Sequence, residues 1–313
     1  MVMAAAPLDK RHVTALWSEL DCFTRDRDLD KVLISSPFWS EPMISRIIRE
    51  AKSKLPHFAG VDPKVRLEAR FFENDRYDVG LWCDGWESLK KDADKNNATA
   101  PSDDVILLND SLFALKPFTG ILDALRGNYL DPHNSSSSSS KNNPPKRMTS
   151  LCYSLTDPQG IWLESVYRAF DRRGMEKFFD HSCHPAGHES FCPLETDSRK
   201  KKKCITDNHE VAIARLFDST TEIQGLYPAD VPKEQWKELK PFGTWASHKE
   251  YWRDVLVDRH DFPAAKVSKR NMIRTMKDPL IQECTARFNR SIFVDEADIF
   301  DFTRGSRTIA RNT

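Results

Sequence analysis

The sequence predicts an α/β protein, a mainly parallel central sheet flanked by helices with a helical C-terminal region. Three observations predict it. Val105-Ile106-Leu107-Leu108 is a short apolar run opening on two β-branched residues, with polar turn formers on both sides, the pattern of a strand buried on both faces. Strand-like and helix-like segments alternate from Lys31 to Leu108, which implies parallel pairing through right-handed crossovers. The apolar strand then drops directly into Asn109-Asp110-Ser111, and open α/β sheets bind ligands outside the carboxyl ends of their strands.

The elements follow in order. Val13, Leu16, Trp17 and Leu20 recur at helical spacing and predict an N-terminal helix, so residues 1–30 stand as an N-terminal helical segment. Lys31 to Ser35 is the first strand. Pro37-Phe38-Trp39 turns into a helix with Met43, Ile44, Ile47 and Ile48 on one face. Val65 to Phe72 alternates as a second strand. The polar loop from Glu73 opens a helix at Val79, with Trp82, Trp86 and Leu89 on one side, ending near Lys90-Lys91-Asp92. After the pivotal strand, Leu112 to Leu125 is a helix interrupted by Pro117. In a blander account, Asn109 and Ser111 simply cap that helix.

The stretch from about 132 to 147, with serines 135–140, has no residues to bury and predicts a disordered insert. Met148 to Leu155 resumes as a strand. Helices are predicted over Trp162 to Phe170, around Met175, Phe178 and Phe179, over Glu210 to Phe217, and over Trp245 to Val257. The α/β domain is thus expected to span 31–266, with a helical extension and polar tail over 267–313.

Composition narrows the function. Lys+Arg and Asp+Glu both number 47, so no global field points to nucleic acid. No apolar run approaches the ~20 residues that span a bilayer, and Met1 to Pro7 is too short for a signal peptide. Seven cysteines is an odd count. A reducing compartment is the default expectation, with an ER or Golgi lumen as the alternative for a chain separated from its anchor.

An Asn-x-x-x-Asp-hydrophobic-Gly loop (Asn74, Asp78, Gly80) lies upstream of the strand ending in Asn109-Asp110-Ser111. Ser154-Leu155-Thr156 is followed by Trp162-Leu163-Glu164-Ser165-Val166-Tyr167-Arg168-Ala169-Phe170. Glu210 sits in Asn208-His209-Glu210-Val211, and Phe262-Pro263-Ala264-Ala265-Lys266 closes the series. In this order, the motifs resemble the rhamnan synthesis protein F family of polysaccharide-building proteins. The resemblance implies a GT-A-like glycosyltransferase that moves a sugar from a nucleotide-sugar donor to a glycan acceptor. Two features depart from the family. Its segment with a His and two Lys ahead of the Asn-Asp-Ser strand is missing, and Glu164 stands where Gln is usual. These departures keep open a catalytically inactive nucleotide- or carbohydrate-binding module on the same fold.

The resemblance assigns roles. Glycosyl transfer expels a diphosphate, whose growing negative charge needs a cation. Mg²⁺ takes one or two carboxylates plus phosphate oxygens and waters, and Asp110 would hold Mg²⁺ or Mn²⁺. Glu210, expected at a helix start, would be the base for the acceptor hydroxyl. Asn74, Asp78, Asn109 and Ser111 would contact the nucleotide or support its loop. The simpler accounts are that Asp78 caps its helix, that the helix dipole favours Glu210, and that Glu164 is solvated. His181, Cys183, His184, His188, Cys192 and Cys204 could ligate Zn²⁺, though no Cys-x-x-Cys pair occurs. A Cys183–Cys192 disulfide or free thiols are the alternatives. Arg199 to Lys203 reads as a solvated basic loop.

Overall fold

A computed structural model describes residues 1–7, 10–61, 63–74, 76–95, 104–128, 144–154, 162–184, 192, 197–217, 221–228 and 262–266. The predicted helix over Trp245 to Val257, the C-terminal region 267–313 and most of the serine-rich insert lie outside these residues. The chain forms two compact units: 1–74 with 109–118 and 263–313, and 75–108 with 119–262. The class is α/β, as predicted.

In the first unit, β1 (Val2–Ala4), β2 (Lys31–Pro37) and β3 (Arg66–Phe72) are parallel, with β2 in the middle. Helices α1 (Lys10–Cys22) and α2 (Glu41–Lys54) accompany them. The stripe foreseen in α1 is its core face: Val13, Leu16, Trp17 and Leu20 are all buried. The Met1 to Pro7 segment, given no element by sequence, forms β1. Three residues are too few for a period-2 pattern to register, and Val2, Met3 and Ala4 are fully buried.

The first correction concerns Leu112 to Leu125. Leu112–Ala114 is a strand, β5, antiparallel to β10 (Ala264–Lys266), and only α4 (Gly120–Leu125) is helical. The other edge of β5 is satisfied by α1 side chains. Ala114 N–H donates to Ser18 Oγ at 2.9 Å and Leu112 N–H to Glu19 Oε1 at 3.2 Å. Asn109 and Ser111 therefore cap no helix.

In the second unit, β4 (Asp104–Asn109) runs antiparallel to β8 (Tyr167–Asp171), and β8 antiparallel to β6 (Met148–Ser154). β6 also pairs antiparallel with β7 (Trp162–Leu163) and parallel with β9 (Ile223–Pro228). Helix α3 (Tyr77–Lys95) meets α5 (Arg172–Ser182) edge-on through Trp82 and Phe178, whose ring centroids are 6.5 Å apart. Trp82 Nε1–H donates to Leu108 O at 2.8 Å, fixing α3 against β4. Gly80 makes the first turn of α3 possible, because a Cβ there would lie 2.7 Å from Arg76 Cβ.

Two further corrections belong here. Trp162 to Phe170 is not a helix but two strands, β7 and β8, each antiparallel to β6. Its apolar residues satisfied a helical template, while cross-strand pairing decided the outcome. The basic run is not a loop but a helix, α6 (Ser198–Ile205), capped by Asp197, whose Oδ1 accepts from Arg199 N at 2.8 Å and Lys200 N at 3.4 Å.

Candidate functional site

In the first unit, Asn109, Asp110 and Ser111 form the turn between β4 and β5. Asn109 and Asp110 are buried. Asn109 Oδ1 accepts from Ser111 Oγ at 2.5 Å and from Ser111 N at 3.3 Å, closing an Asx turn. Asp110 is aimed by the backbone of the N-terminal segment: Ala6 N–H donates to Asp110 Oδ2 at 2.9 Å, and Asp110 N–H donates to Ala4 O at 3.2 Å. Asn74 is exposed just beyond β3 in the same unit.

Glu19 was not anticipated. It is fully buried on α1, and its Oε2 has no hydrogen-bond partner among the described residues. Burial, reinforced by the charge of Asp110, raises its pKa well above the usual carboxylate range, against the weaker pull of the Leu112 N–H. The sequence signal was an acid flanking the apolar stripe of α1. The raised pKa sets a sign for stability. The fold favours the protonated form, so this contribution is complete below the unfolded carboxylate pKa and is lost as pH rises through the higher folded one. Thermal unfolding between pH 5 and 9 should show stability falling with pH, and Glu19→Gln should flatten that slope. An unchanged slope would show that Glu19 is not the group responsible.

The first unit offers a divalent cation one strong ligand, Asp110. Among the described residues, no group of three His, Cys, Asp or Glu is arranged to hold a metal. A one-carboxylate set suits Mg²⁺ or Mn²⁺ completed by phosphate oxygens and waters, and not an all-protein cage.

In the second unit, Glu210 lies in a π-helical segment, Thr206–Val211, that continues α6. It is therefore not at a helix start, as expected from sequence, but inside a helical run that continues as a 3-10 helix over Ala212–Leu216. Single π turns occur frequently at functional sites. Glu210 is half-buried, and its Oε2 accepts from Ser165 Oγ at 3.1 Å. Burial raises its pKa first and the nearby Asp78 charge second, while Arg168 and Ser165 oppose them. Asp78, in the first turn of α3, and Glu210 are thus neighbours in one unit.

Arg168 organises this region. Its guanidinium is buried and donates to three carbonyls: Glu164 O at 2.9 Å, Leu163 O at 2.5 Å and Glu210 O at 2.5 Å. It thereby ties the β7–β8 bend to the π segment. Burial lowers its pKa to about 10, although Glu210 and Glu164 pull it up. Glu164 is itself buried, which corrects the expectation of a solvated side chain. The sequence clue to Arg168 was a lone cation inside a buried apolar run.

The cysteines pair differently from the expectation. Cys83 is bonded to Cys183 and Cys192 to Cys204, and Cys22 and Cys152 are buried outside these two bonds. The Cys183–Cys192 alternative is therefore incorrect, and three thiols of the envisaged Zn²⁺ set are consumed in disulfides. His188 lies outside the described residues.

No protein-family model matches the chain, and no curated protein matches it. Among solved structures, mouse xyloside xylosyltransferase 1 aligns at TM-score 0.41 and 8% identity, over 87% of this chain and 98% of that one. The galactosyltransferase LgtC, in complex with donor and acceptor sugar analogs, aligns at TM-score 0.46 and 9% identity, over 98% and 100%. The bifunctional glycosyltransferase WbbM aligns at TM-score 0.42 and 9% identity, over 92% of this chain and 51% of that one. No described helix is long and apolar enough to cross a membrane.

Proposed function

We propose that the protein is a metal-assisted glycosyltransferase of the rhamnan synthesis F type, moving a hexosyl or deoxyhexosyl group from a nucleotide sugar to a glycan. The observation that carries this reading is Asp110, a carboxylate at the end of a buried strand, aimed by the Ala6 N–H. The motif order Asn74, Asp78, Asp110, Glu210 supports it. Asp110 would hold Mg²⁺ or Mn²⁺, which would supply positive charge for the departing diphosphate. Asn109 and Ser111 keep the Asp110 turn in shape, and Asn74 and Asp78 would line the nucleotide loop.

Glu210 would accept the proton of the acceptor hydroxyl. A general base works in its deprotonated form, and a raised pKa brings its strength closer to the working pH. Transfer rates should therefore fall on acidification through a pKa above the ordinary carboxylate value. In Glu210→Gln, kcat should drop about 100-fold and that acidic limb should vanish. Assays with a panel of nucleotide sugars, Mn²⁺ and glycan acceptors test the proposal. Tight nucleotide binding without turnover for any donor would replace it with the inactive binding module, which the single carboxylate favours.

A further inference from the structure

We propose that helix α6 and Tyr77 form a subsite for an anionic sugar, so that the acceptor is a uronate-bearing glycan; this rests on Glu210 facing the acceptor, as argued above.

The basic charge of α6 works against its own helix. Arg199 and Lys200 to Lys203 place five cations, and no acid, within Ser198–Ile205. Cations in a first turn oppose the helix dipole, and the like-charged Arg199/Lys203 spacing is unfavourable. Asp197 at the cap and the Lys203–Asp207 ion pair offset only part of this. Sequences that violate local rules without a folding benefit tend to do so where function demands it.

The helix is also fixed in place. The Cys192–Cys204 disulfide ties its C-terminal end, Asn208 Nδ2 donates to Cys204 O at 2.9 Å, and the His181 ring contacts Asn208 O at 3.0 Å. Lys202 Nζ lies 5.5 Å from the centroid of the Tyr77 ring. Tyr77 has φ of +56°, a left-handed conformation that is strained for a non-glycine residue and clusters at functional sites. The next residue, Asp78, is a neighbour of Glu210, and α6 runs directly into the π segment that carries Glu210.

The Lys202 ammonium lies over one face of the Tyr77 ring; a sugar acid would set the C–H face of its pyranose on the other face and its carboxylate among the lysines. Eight helical residues span only about 12 Å, which suits one or two sugar units and is too short for a nucleic-acid track. The net charge of zero agrees with a local role for this patch.

The probes are a short oligogalacturonate and a neutral maltooligosaccharide of equal length, titrated calorimetrically into the oxidised full-length protein. The oligogalacturonate alone should bind, and more weakly at high salt. Lys201→Glu/Lys202→Glu should weaken it about tenfold with an unchanged circular dichroism spectrum. Tyr77→Phe should retain binding, which separates the ring from the hydroxyl. Equal binding of both probes, or undiminished binding in the folded double variant, overturns the subsite. Lys-dependent binding without sugar transfer from any donor would uphold the subsite and reject the transferase. Efficient transfer to neutral glycans, unchanged in the double variant, would do the reverse.

Discussion

Asp110→Asn should leave the fold intact and lower the transfer rate about 1,000-fold, equivalent to about 4 kcal/mol of transition-state stabilisation. The diphosphate leaving group gains charge as the glycosidic bond breaks, and a cation placed there before the reaction is worth most in a site shielded from water. Asn preserves the shape of Asp110 and an oxygen to accept the Ala6 N–H, now held at 2.9 Å, so β1 stays anchored. What it removes is the negative charge that would hold the metal. Turnover with Mn²⁺ and the melting temperature, measured on the same sample, check both halves. A second readout is internal. Asp110 helps raise the pKa of Glu19, so its neutralisation should make the loss of stability with rising pH less steep. Wild-type turnover in Asp110→Asn would take Asp110 out of the mechanism.

Replacing the Cys83–Cys183 pair with alanines should lower the unfolding free energy by about 4–5 kcal/mol, the larger of the two disulfide effects. The bond joins residues 100 apart in sequence, and cross-links closing longer loops remove more entropy from the unfolded chain. The Cys192–Cys204 pair, separated by 12, should contribute about 3 kcal/mol. The long cross-link joins α3, which carries Asp78, to the end of α5, where Trp82 and Phe178 already pack. Urea denaturation of the two double variants gives the comparison. Thiol titration of the denatured wild-type protein gives the bonding state. Seven reactive thiols would contradict the pairing. With four cysteines bonded in pairs, this fold is most stable in an oxidising setting.

How much was legible in the sequence varied with the length and regularity of each element. The faces of α1 and α2 declared themselves because burying one side of a helix imposes a period that a dozen residues display, and β2 and β4 because a strand buried on both faces is a short apolar run. β1 and β5, at three residues each, showed no period. The Trp162 to Phe170 run satisfied a helix pattern, yet strand pairing with β4 and β6 outweighed it. The candidate site divided in the same way. Asp110, Asp78 and Glu210 were marked by motif order, whereas Glu19, Ser165 and Arg168 belong to no motif and matter only through what they touch.

The sequence by itself determined the α/β class, the places of α1, α2, α3, α5, β2, β3, β4 and β6, and the two carboxylates that a transferase would use. The tertiary structure alone decided which cysteines bond, which acid is buried beside Asp110, and that Arg168 gathers three carbonyls around Glu210. Periodicity is a property of neighbouring residues and is written locally. Burial, charge coupling and covalent pairing arise between residues far apart in the chain, such as Asp78 and Glu210 or Cys83 and Cys183, and take effect only when folding brings them together.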